Sequence, residues 1–147
     1  MTDTHQHYRR LESMYQAAPI NAIYHPLMTV DEGKANIEIA LSESFHHSAG
    51  AVHGSVYFKM LDDAAFFAAN SLEFEVFVLT TSFTTYLTRP VVSGSMRSCG
   101  LVVNHNRSQF IVESIVYDEH DNEIGRGSGI FVRSKNLLAE ATGYLPR

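Results

Sequence analysis

The sequence contains little of several features that would point to particular protein classes. Its one cysteine, Cys99, excludes a disulfide within the chain and a cysteine-rich zinc site. Positive charge is not in excess: the net charge is −5, which argues against a nucleic-acid-binding surface. No window approaches the ~18 uninterrupted apolar residues of a membrane-spanning helix, and the N-terminal residues lack the apolar core of a signal peptide. We therefore expect a cytoplasmic protein without nucleic-acid or membrane partners.

Hydrophobic residues are abundant enough to form a core. They make up 45% of the 147 residues, a length that suits one domain, residues 1–147, but not two. Apolar spacing predicts a short helix over 6–17, within an N-terminal segment 1–18, and then a strand over NAIYHPLMTV that Pro26 interrupts. The tail 134–147 is expected to be loosely held.

The rest of the chain predicts strands on either side of one long helix. KANIEIALSES alternates apolar and polar residues, as a half-buried strand does, and a proline-free stretch over 54–72 predicts the helix. Strands are then predicted over 77–87, with alternate residues on one face, and over 96–103, 109–117 and 124–133. Their connections are short enough for hairpins. This order predicts an α+β fold in which an antiparallel sheet wraps a single long helix.

The predicted long helix carries two acids on a face that is not uniformly polar. Its opposite, apolar stripe is expected to pack on the sheet and contains Tyr57, Met60, Leu61, Ala64, Ala65, Ala68 and Leu72. Phe58 and Phe66 flank Asp62, which a solvated helix face does not explain. We therefore predict that a second subunit covers this face beside Asp62. Asp63, about 100° further round, is expected near Lys59 and Asn70 in a supporting role.

The tripeptide His53-Gly54-Ser55 stands where this helix is predicted to begin. Free backbone N–H groups at a helix start can hold an anion or polarise a carbonyl oxygen, and Gly54 lets a ligand approach the backbone closely. The plain structural alternative is a turn capped by Ser55. His46, His47 and His53 are close in sequence, but their spacing is not a recognisable ligand pattern, so no metal is expected.

Three segments of the chain together resemble the hotdog-fold acyl-CoA thioesterases, especially the PaaI-like and 4-hydroxybenzoyl-CoA thioesterase branch. They are GAVHGSVYFKMLDDAAFFAANS, TTSFTTYLTRPVVSG and VVNHNRSQFIVESIVYDEHDNEIGRGSGIFV, within about 35–133. The resemblance implies a hotdog fold, a homodimer that pairs further into a dimer of dimers, and active sites between protomers. It also implies hydrolysis of an acyl-CoA thioester to the free acid and CoA, without a cofactor.

The resemblance implies a role for each matching residue. The expected catalytic residues are His53 and Gly54, which match the start of the family's His-Gly-Gly, Asp62, which matches the catalytic acid, and Thr80, which matches a residue that helps position water. The expected substrate-binding residues are His47, Ser55, Phe58, Phe66, Arg89 and Arg107, with Arg107 on a loop that meets the nucleotide end of CoA. Two positions depart from the family pattern: Ser55 replaces its second glycine, and His47 stands where the family often has asparagine.

The residues leave several alternatives open. Asp62 could act as a general base on water or attack the thioester directly. Because of Ser55 and His47, a module that binds an acyl thioester without cleaving it is a second interpretation, although Asp62 argues against it. A dehydratase is a third, for which we find no matching histidine and acid. The sequence does not choose between an aromatic and a medium-chain acyl group, which Phe58, Phe66, Phe67 and Tyr86 could surround.

Overall fold

A six-stranded antiparallel sheet packs on one long helix in the computed structural model, which describes residues 3–146. The strands are β1 (Leu27–Asp31), β2 (Lys34–Ala40), β3 (Val76–Leu87), β4 (Ser95–His105), β5 (Phe110–Asp118) and β6 (Glu123–Leu137). Their order across the sheet is β1-β2-β4-β5-β6-β3, so β3 lies at an edge. The helices are α1 (Thr4–Ala17), the short α2 (Asn21–Tyr24) and the central α3 (Gly54–Asn70). Within residues 3–146 no helix is long and apolar enough to cross a bilayer.

The central helix lies against the sheet through the apolar stripe predicted for it. Its members Tyr57, Met60, Leu61, Ala64, Ala65 and Ala68 are all buried, and Leu72, just beyond the helix end, is half-buried. The alanines allow the backbones of helix and sheet to come close: a methyl group added at Gly100 of β4 would lie 2.3 Å from the Ala64 carbonyl oxygen. The orientation of α3, and of the side chains on its other face, is thereby fixed.

A bulge in β3 changes the predicted alternation of this strand. Thr80 pairs with Phe131 and Ser82 with Ile130, so Thr81 is an extra residue on β3. The face of β3 that holds odd-numbered residues before the bulge therefore holds even-numbered residues after it. Contrary to the prediction, Leu79 and Phe83 do not share a face, whereas Thr80 and Phe83 do. The hairpin expectation holds for β4–β5 and β5–β6, but β3 pairs with β6 and not with β4.

The N-terminal segment differs from its prediction in one element. The helix predicted over 6–17 is present as α1, with Tyr8, Leu11, Met14 and Tyr15 buried. The first half of the predicted strand NAIYHPLMTV instead forms α2, and only β1 after Pro26 is extended. His25 ends α2 in the left-handed region at φ 50°, and its N–H donates to the Asn21 carbonyl. This local helical turn overrides the apolar pattern that predicted a strand.

The C-terminal tail packs on the N-terminal helix. β6 continues to Leu137, four residues beyond the predicted end, and Leu138 and Tyr144 are buried. The Tyr144 hydroxyl lies 2.7 Å from Nδ1 of the fully buried His7, and His7 Nε2 lies 2.8 Å from the Asn70 carbonyl oxygen at the end of α3. These apolar and hydrogen-bonded contacts replace the loosely held tail that the sequence led us to expect.

Candidate active site

A cavity of about 310 Å³ lies beside Asp62, between the N-terminal helices, α3 and the start of β3. Most of its wall is apolar and is formed by Met14, Ile20, Phe66, Phe67, Phe77 and Leu79. Its ionisable residues are Tyr15, Lys59, Asp62 and Asp63, and Thr80 also lines it. A concave, mostly apolar space with a few convergent polar groups is typical of a small-molecule site.

Asp62 is a half-buried carboxylate with one hydroxyl donor. Thr80 Oγ1, on β3, donates to Asp62 Oδ1, on α3, at 2.9 Å. Burial raises the pKa of Asp62 to about 6; the Thr80 hydrogen bond opposes this rise, the Asp63 charge adds to it and Lys59 opposes it. A carboxylate with such a pKa is ionised at neutral pH and is a stronger base than an ordinary aspartate.

Asp63 has a different environment from its neighbour. Its Oδ2 accepts hydrogen bonds from Lys59 Nζ and from the Tyr15 hydroxyl, both at 2.6 Å. The expected contact with Lys59 is therefore present, but Asn70 bonds to backbone groups near β3 and has no hydrogen bond to Asp63. Tyr15 was not among the predicted site residues, because only the packing of α1 on α3 brings its hydroxyl to Asp63.

The start of α3 is capped by a histidine ring. The Ser55 N–H donates to His53 Nδ1 at 3.0 Å, and the Ser55 hydroxyl lies 2.8 Å from the same nitrogen. The cap is therefore His53 and not Ser55, which corrects the sequence-based alternative. Because Nδ1 accepts a backbone N–H, the neutral ring carries its proton on Nε2. The Gly54 N–H donates to no acceptor among residues 3–146 and is free for a ligand.

A second cavity, of about 320 Å³, adjoins this helix start. It is lined by Gly54, His47 and Arg89, together with Tyr57 and the end of β3. The Tyr57 hydroxyl donates to the Arg89 carbonyl oxygen at 2.8 Å, which fixes the chain where it leaves β3. His47 Nδ1 accepts the Ala49 N–H at 3.1 Å. The structure thus brings two of the expected substrate-binding residues to the expected carbonyl-binding corner.

The expected aromatic residues are divided among different surroundings. Phe66 and Phe67 line the Asp62 cavity, and Phe66 packs edge-on against Phe77 with ring centroids 4.9 Å apart. Phe58 contacts Phe83 but remains 42% exposed. Tyr86 lies instead in a separate hollow beside Arg126. Of the two phenylalanines that flank Asp62, Phe58 is therefore exposed and Phe66 is half-buried.

Arg107 lies apart from both cavities. Its side chain is exposed on the β4–β5 loop, and its carbonyl oxygen accepts a hydrogen bond from Arg133 Nη1 at 2.9 Å. Arg133 also bonds to the Asn106 carbonyl oxygen and to Glu73, so this part of the loop is held by its backbone. The Arg107 guanidinium itself lines neither the Asp62 cavity nor the Gly54 cavity.

Gly54 and Asp62 are too far apart within one chain to act on the same atom. Asp62 stands eight positions after Gly54 in α3, which corresponds to about 12 Å along the helix axis. They also line different cavities. One chain therefore carries both halves of the candidate site without joining them.

Comparison with known proteins identifies the family. The family model for the thioesterase superfamily matches residues 49–124, which include the Gly54 corner, Asp62 and Thr80. A search of curated proteins finds no match. Among solved structures, the Escherichia coli PaaI protein from the phenylacetic acid degradation operon is similar with a TM-score of 0.83 at 16% identity, over 92% of this chain and 99% of that chain.

Two further structures have the same fold at low sequence identity. A conserved protein of Pseudomonas aeruginosa has a TM-score of 0.75 at 20% identity, over 82% of this chain and 98% of its own. A thioesterase of Haemophilus influenzae has a TM-score of 0.74 at 14% identity, over 82% of this chain and 85% of its own. The predicted fold class is thus confirmed. The chain belongs to the thioesterase superfamily and has the hotdog fold.

Proposed function

We propose that the protein hydrolyses an acyl-CoA thioester to a carboxylic acid and free CoA. The observation that carries this proposal is Asp62, a half-buried carboxylate beside an apolar cavity, hydrogen-bonded by Thr80 and with its pKa raised to about 6. Perturbed acids in clefts are characteristic of functional sites. The apolar wall suits an acyl group, and the acid lies at the edge of that wall, where the thioester carbon would be.

The chemistry needs an oxyanion donor as well as a base. The Gly54 N–H, at the positive end of α3, would stabilise the charge that develops on the thioester oxygen, and His53 Nε2–H could donate beside it. Asp62 would take a proton from water, oriented with the help of Thr80, or attack the carbonyl carbon itself. In the first case the water oxygen bonds to the carbonyl carbon, the C–S bond breaks and the CoA thiolate gains the proton that Asp62 took from water, which releases the acid. In the second case the C–S bond breaks as an anhydride forms between the acyl group and Asp62, the thiolate gains a proton from solvent, and water then hydrolyses the anhydride to the free acid and the Asp62 carboxylate.

The two halves of the site would meet only between two copies of the chain. The separation of about 12 Å between Gly54 and Asp62 along α3 supports a site in which each works with the other group from a second copy. Among residues 3–146, the twelve-residue strand β3 pairs with β6 on one side and with no strand on the other. The exposed ring of Phe58 contacts Phe83 of this strand. An unpaired strand edge and an exposed aromatic ring support a symmetric homodimer. We also propose that two such dimers pair further.

The rest of the substrate would lie toward the helix start. Arg89 beside Gly54 could pair with a phosphate of CoA, and Arg107 could do the same from the neighbouring copy. His47 and Ser55 would border the path of the thioester, while Phe58 and Phe66 would contact the acyl group.

A specific observation favours a second candidate, a protein that binds an acyl thioester without cleaving it. The Ser55 N–H is already used by His53, so the corner offers one free backbone donor, at Gly54, and not two. A weaker oxyanion site would still hold a carbonyl oxygen.

The test removes the Gly54 donor without removing the helix. Proline is well tolerated at the first helical position, and His53 already has the extended conformation (ψ 142°) that a residue before proline prefers. Gly54→Pro therefore deletes the N–H, whereas Gly54→Ala keeps it and adds the same Cβ, which meets only the flexible tip of Leu87. We expect Gly54→Pro to lower kcat by ~10²-fold or more and Gly54→Ala by less than about tenfold.

The measurement is thiol release across a panel of acyl-CoAs that includes aromatic and medium-chain acyl groups. Equal turnover by the two variants would contradict the role of the Gly54 N–H. Calorimetric binding of acyl-CoAs without any thiol release by the unaltered protein would instead support the binding module.

A further inference from the structure

A hydrogen-bonded cluster beside Asp62 is not used by the chemistry proposed above. Lys59 Nζ and the Tyr15 hydroxyl both donate to Asp63 Oδ2 at 2.6 Å. The Lys59 ammonium also lies 5.3 Å from the centre of the Tyr15 ring and 5.1 Å from that of Tyr24. The side chains of Lys59 and Asp63 are only 12% and 20% exposed, so water screens this pair less than a surface ion pair.

The cluster shares its cavity with Asp62. Lys59 stands three residues before Asp62, a spacing that makes the two neighbours on a helix, and Asp63 is next in sequence. The ionisable groups of the cavity wall are Tyr15 from α1 and Lys59, Asp62 and Asp63 from α3. β3 contributes only the neutral Thr80 to this polar group. The Lys59 ammonium is therefore paired with Asp63, and this ion pair lies on the same cavity wall as Asp62.

We propose that Lys59 and Asp63 are positioning residues whose opposite charges together set how readily Asp62 ionises, with Tyr15 holding the pair in place. The negative charge of Asp63 disfavours a second negative charge beside it, and the ammonium of Lys59 offsets that effect. As a unit the pair is neutral. Removing one member leaves a net charge beside Asp62, and removing both leaves no net charge there.

The ionisation of these groups is consistent with that assignment. Burial and the Thr80 hydrogen bond have the largest effects on the pKa of Asp62. Of the two remaining effects, the Asp63 charge raises this pKa and the Lys59 charge lowers it. Burial and the Asp63 charge raise the pKa of the Tyr15 hydroxyl, which keeps it protonated and able to donate. If solvent screened the charges of this ion pair from Asp62, removing Lys59 or Asp63 would affect stability alone and would not shift the Asp62 pKa in opposite directions.

The experiment measures the pKa of Asp62 by NMR titration of ¹³C-labelled aspartate carboxyls in the full chain, with the Asp62 signal assigned from Asp62→Asn. Lys59→Met is expected to raise this pKa by roughly 0.5 to 1 unit and Asp63→Asn to lower it by a similar amount. The double variant should lie within about 0.3 unit of the unaltered protein, since both charges are gone. Tyr15→Phe, which keeps both charges, should shift it less than either single variant.

The result that overturns the proposal is a shift in the same direction for both single variants, or no resolved shift in either. If Lys59→Met does not fold, Asp63→Asn decides alone, because an unchanged or raised Asp62 pKa would contradict the proposal. The meaning of this cluster for catalysis rests on the proposed thioesterase function, but the titration needs no substrate. Absence of thiol release would therefore refute the function and leave the test of the cluster intact.

Discussion

Asp62 combines burial with one hydrogen bond from the described residues 3–146, that of Thr80, and the balance of the two mainly determines its pKa. Burial raises its pKa to about 6, and the Thr80 hydroxyl, which stabilises the ionised form, limits the rise. The carboxylate would be the active form in both of the mechanisms that we propose. Activity should therefore be lost as the pH falls through the folded-state pKa of Asp62 and be retained above it.

This dependence gives a prediction at the residue scale. The kcat/KM for an acyl-CoA should rise with pH through an apparent pKa of about 6 and then level off. Thr80→Val removes the hydrogen bond that favours the anion, so its rising limb should move to higher pH. Thr80→Ser keeps the hydroxyl and should stay close to the original profile. A limb that is unchanged in Thr80→Val would show that Asp62 does not govern the profile.

Helix geometry alone was enough to distinguish the two aspartates. The angular step along α3 separates Asp62, near Phe58 and Phe66, from Asp63, near Lys59, and the Lys59 contact is confirmed. The Tyr15 hydrogen bond to Asp63 could not be predicted, because 48 residues separate the two and only the packing of α1 on α3 brings them together. The cap at His53 was missed for a different reason: serine is the commoner capping residue, but here the ring of His53 takes that role.

At the scale of elements, the position of α3 on the sheet depends on Gly100 of β4, which has no side chain. A methyl group at Gly100 would lie 2.3 Å from the Ala64 carbonyl oxygen and 2.7 Å from the Ala65 nitrogen. Both are backbone atoms, which cannot turn aside as a side chain can. The helix that carries Asp62 can therefore keep its place only if residue 100 is glycine.

The corresponding prediction compares two substitutions on the same face of β4. Gly100→Ala should destabilise the protein by about 1–3 kcal/mol and lower turnover, since α3 must move away from the sheet. Ser98→Ala, two residues away, removes a buried hydroxyl that has no hydrogen-bond partner among residues 3–146 and should be neutral or stabilising. Urea unfolding with parallel thiol-release assays checks both. Equal stability of the two variants would contradict the proposed tight contact.

The elements themselves were predictable where a regular pattern runs uninterrupted. The apolar stripe of α3 and the alternation Phe110, Val112, Ser114 and Val116 in β5 match the buried residues. The pattern failed where a local feature interrupts it: an extra residue at Thr81 reverses the faces of β3, and a short helical turn replaces a strand before His25. Neither feature changes composition enough to be seen in the sequence.

At the scale of the whole molecule, the order of the strands places β1 at one edge of the sheet and β3 at the other. Pairing of β3 with β6 could not be read from connection lengths, which equally allow a β3–β4 hairpin. This order leaves β3 at the edge of the sheet, near the exposed ring of Phe58. We propose that two copies of the chain pair near this edge, so that each site would consist of Asp62 from one copy and Gly54 from another.

Heterodimers made from two inactive variants test that claim most directly. Differently tagged Gly54→Pro and Asp62→Asn chains, co-expressed and purified through both tags, should form dimers in which one of the two sites has both groups intact. We predict about half of the unaltered turnover per dimer, while each homodimer is nearly inactive. Pairing an unaltered chain with a chain that carries both substitutions should leave no intact site and little thiol release. A shared site would be contradicted if the first pairing were inactive and the second retained about half of the turnover. It would also be contradicted by a protein that sediments as a stable monomer and is fully active in the assay.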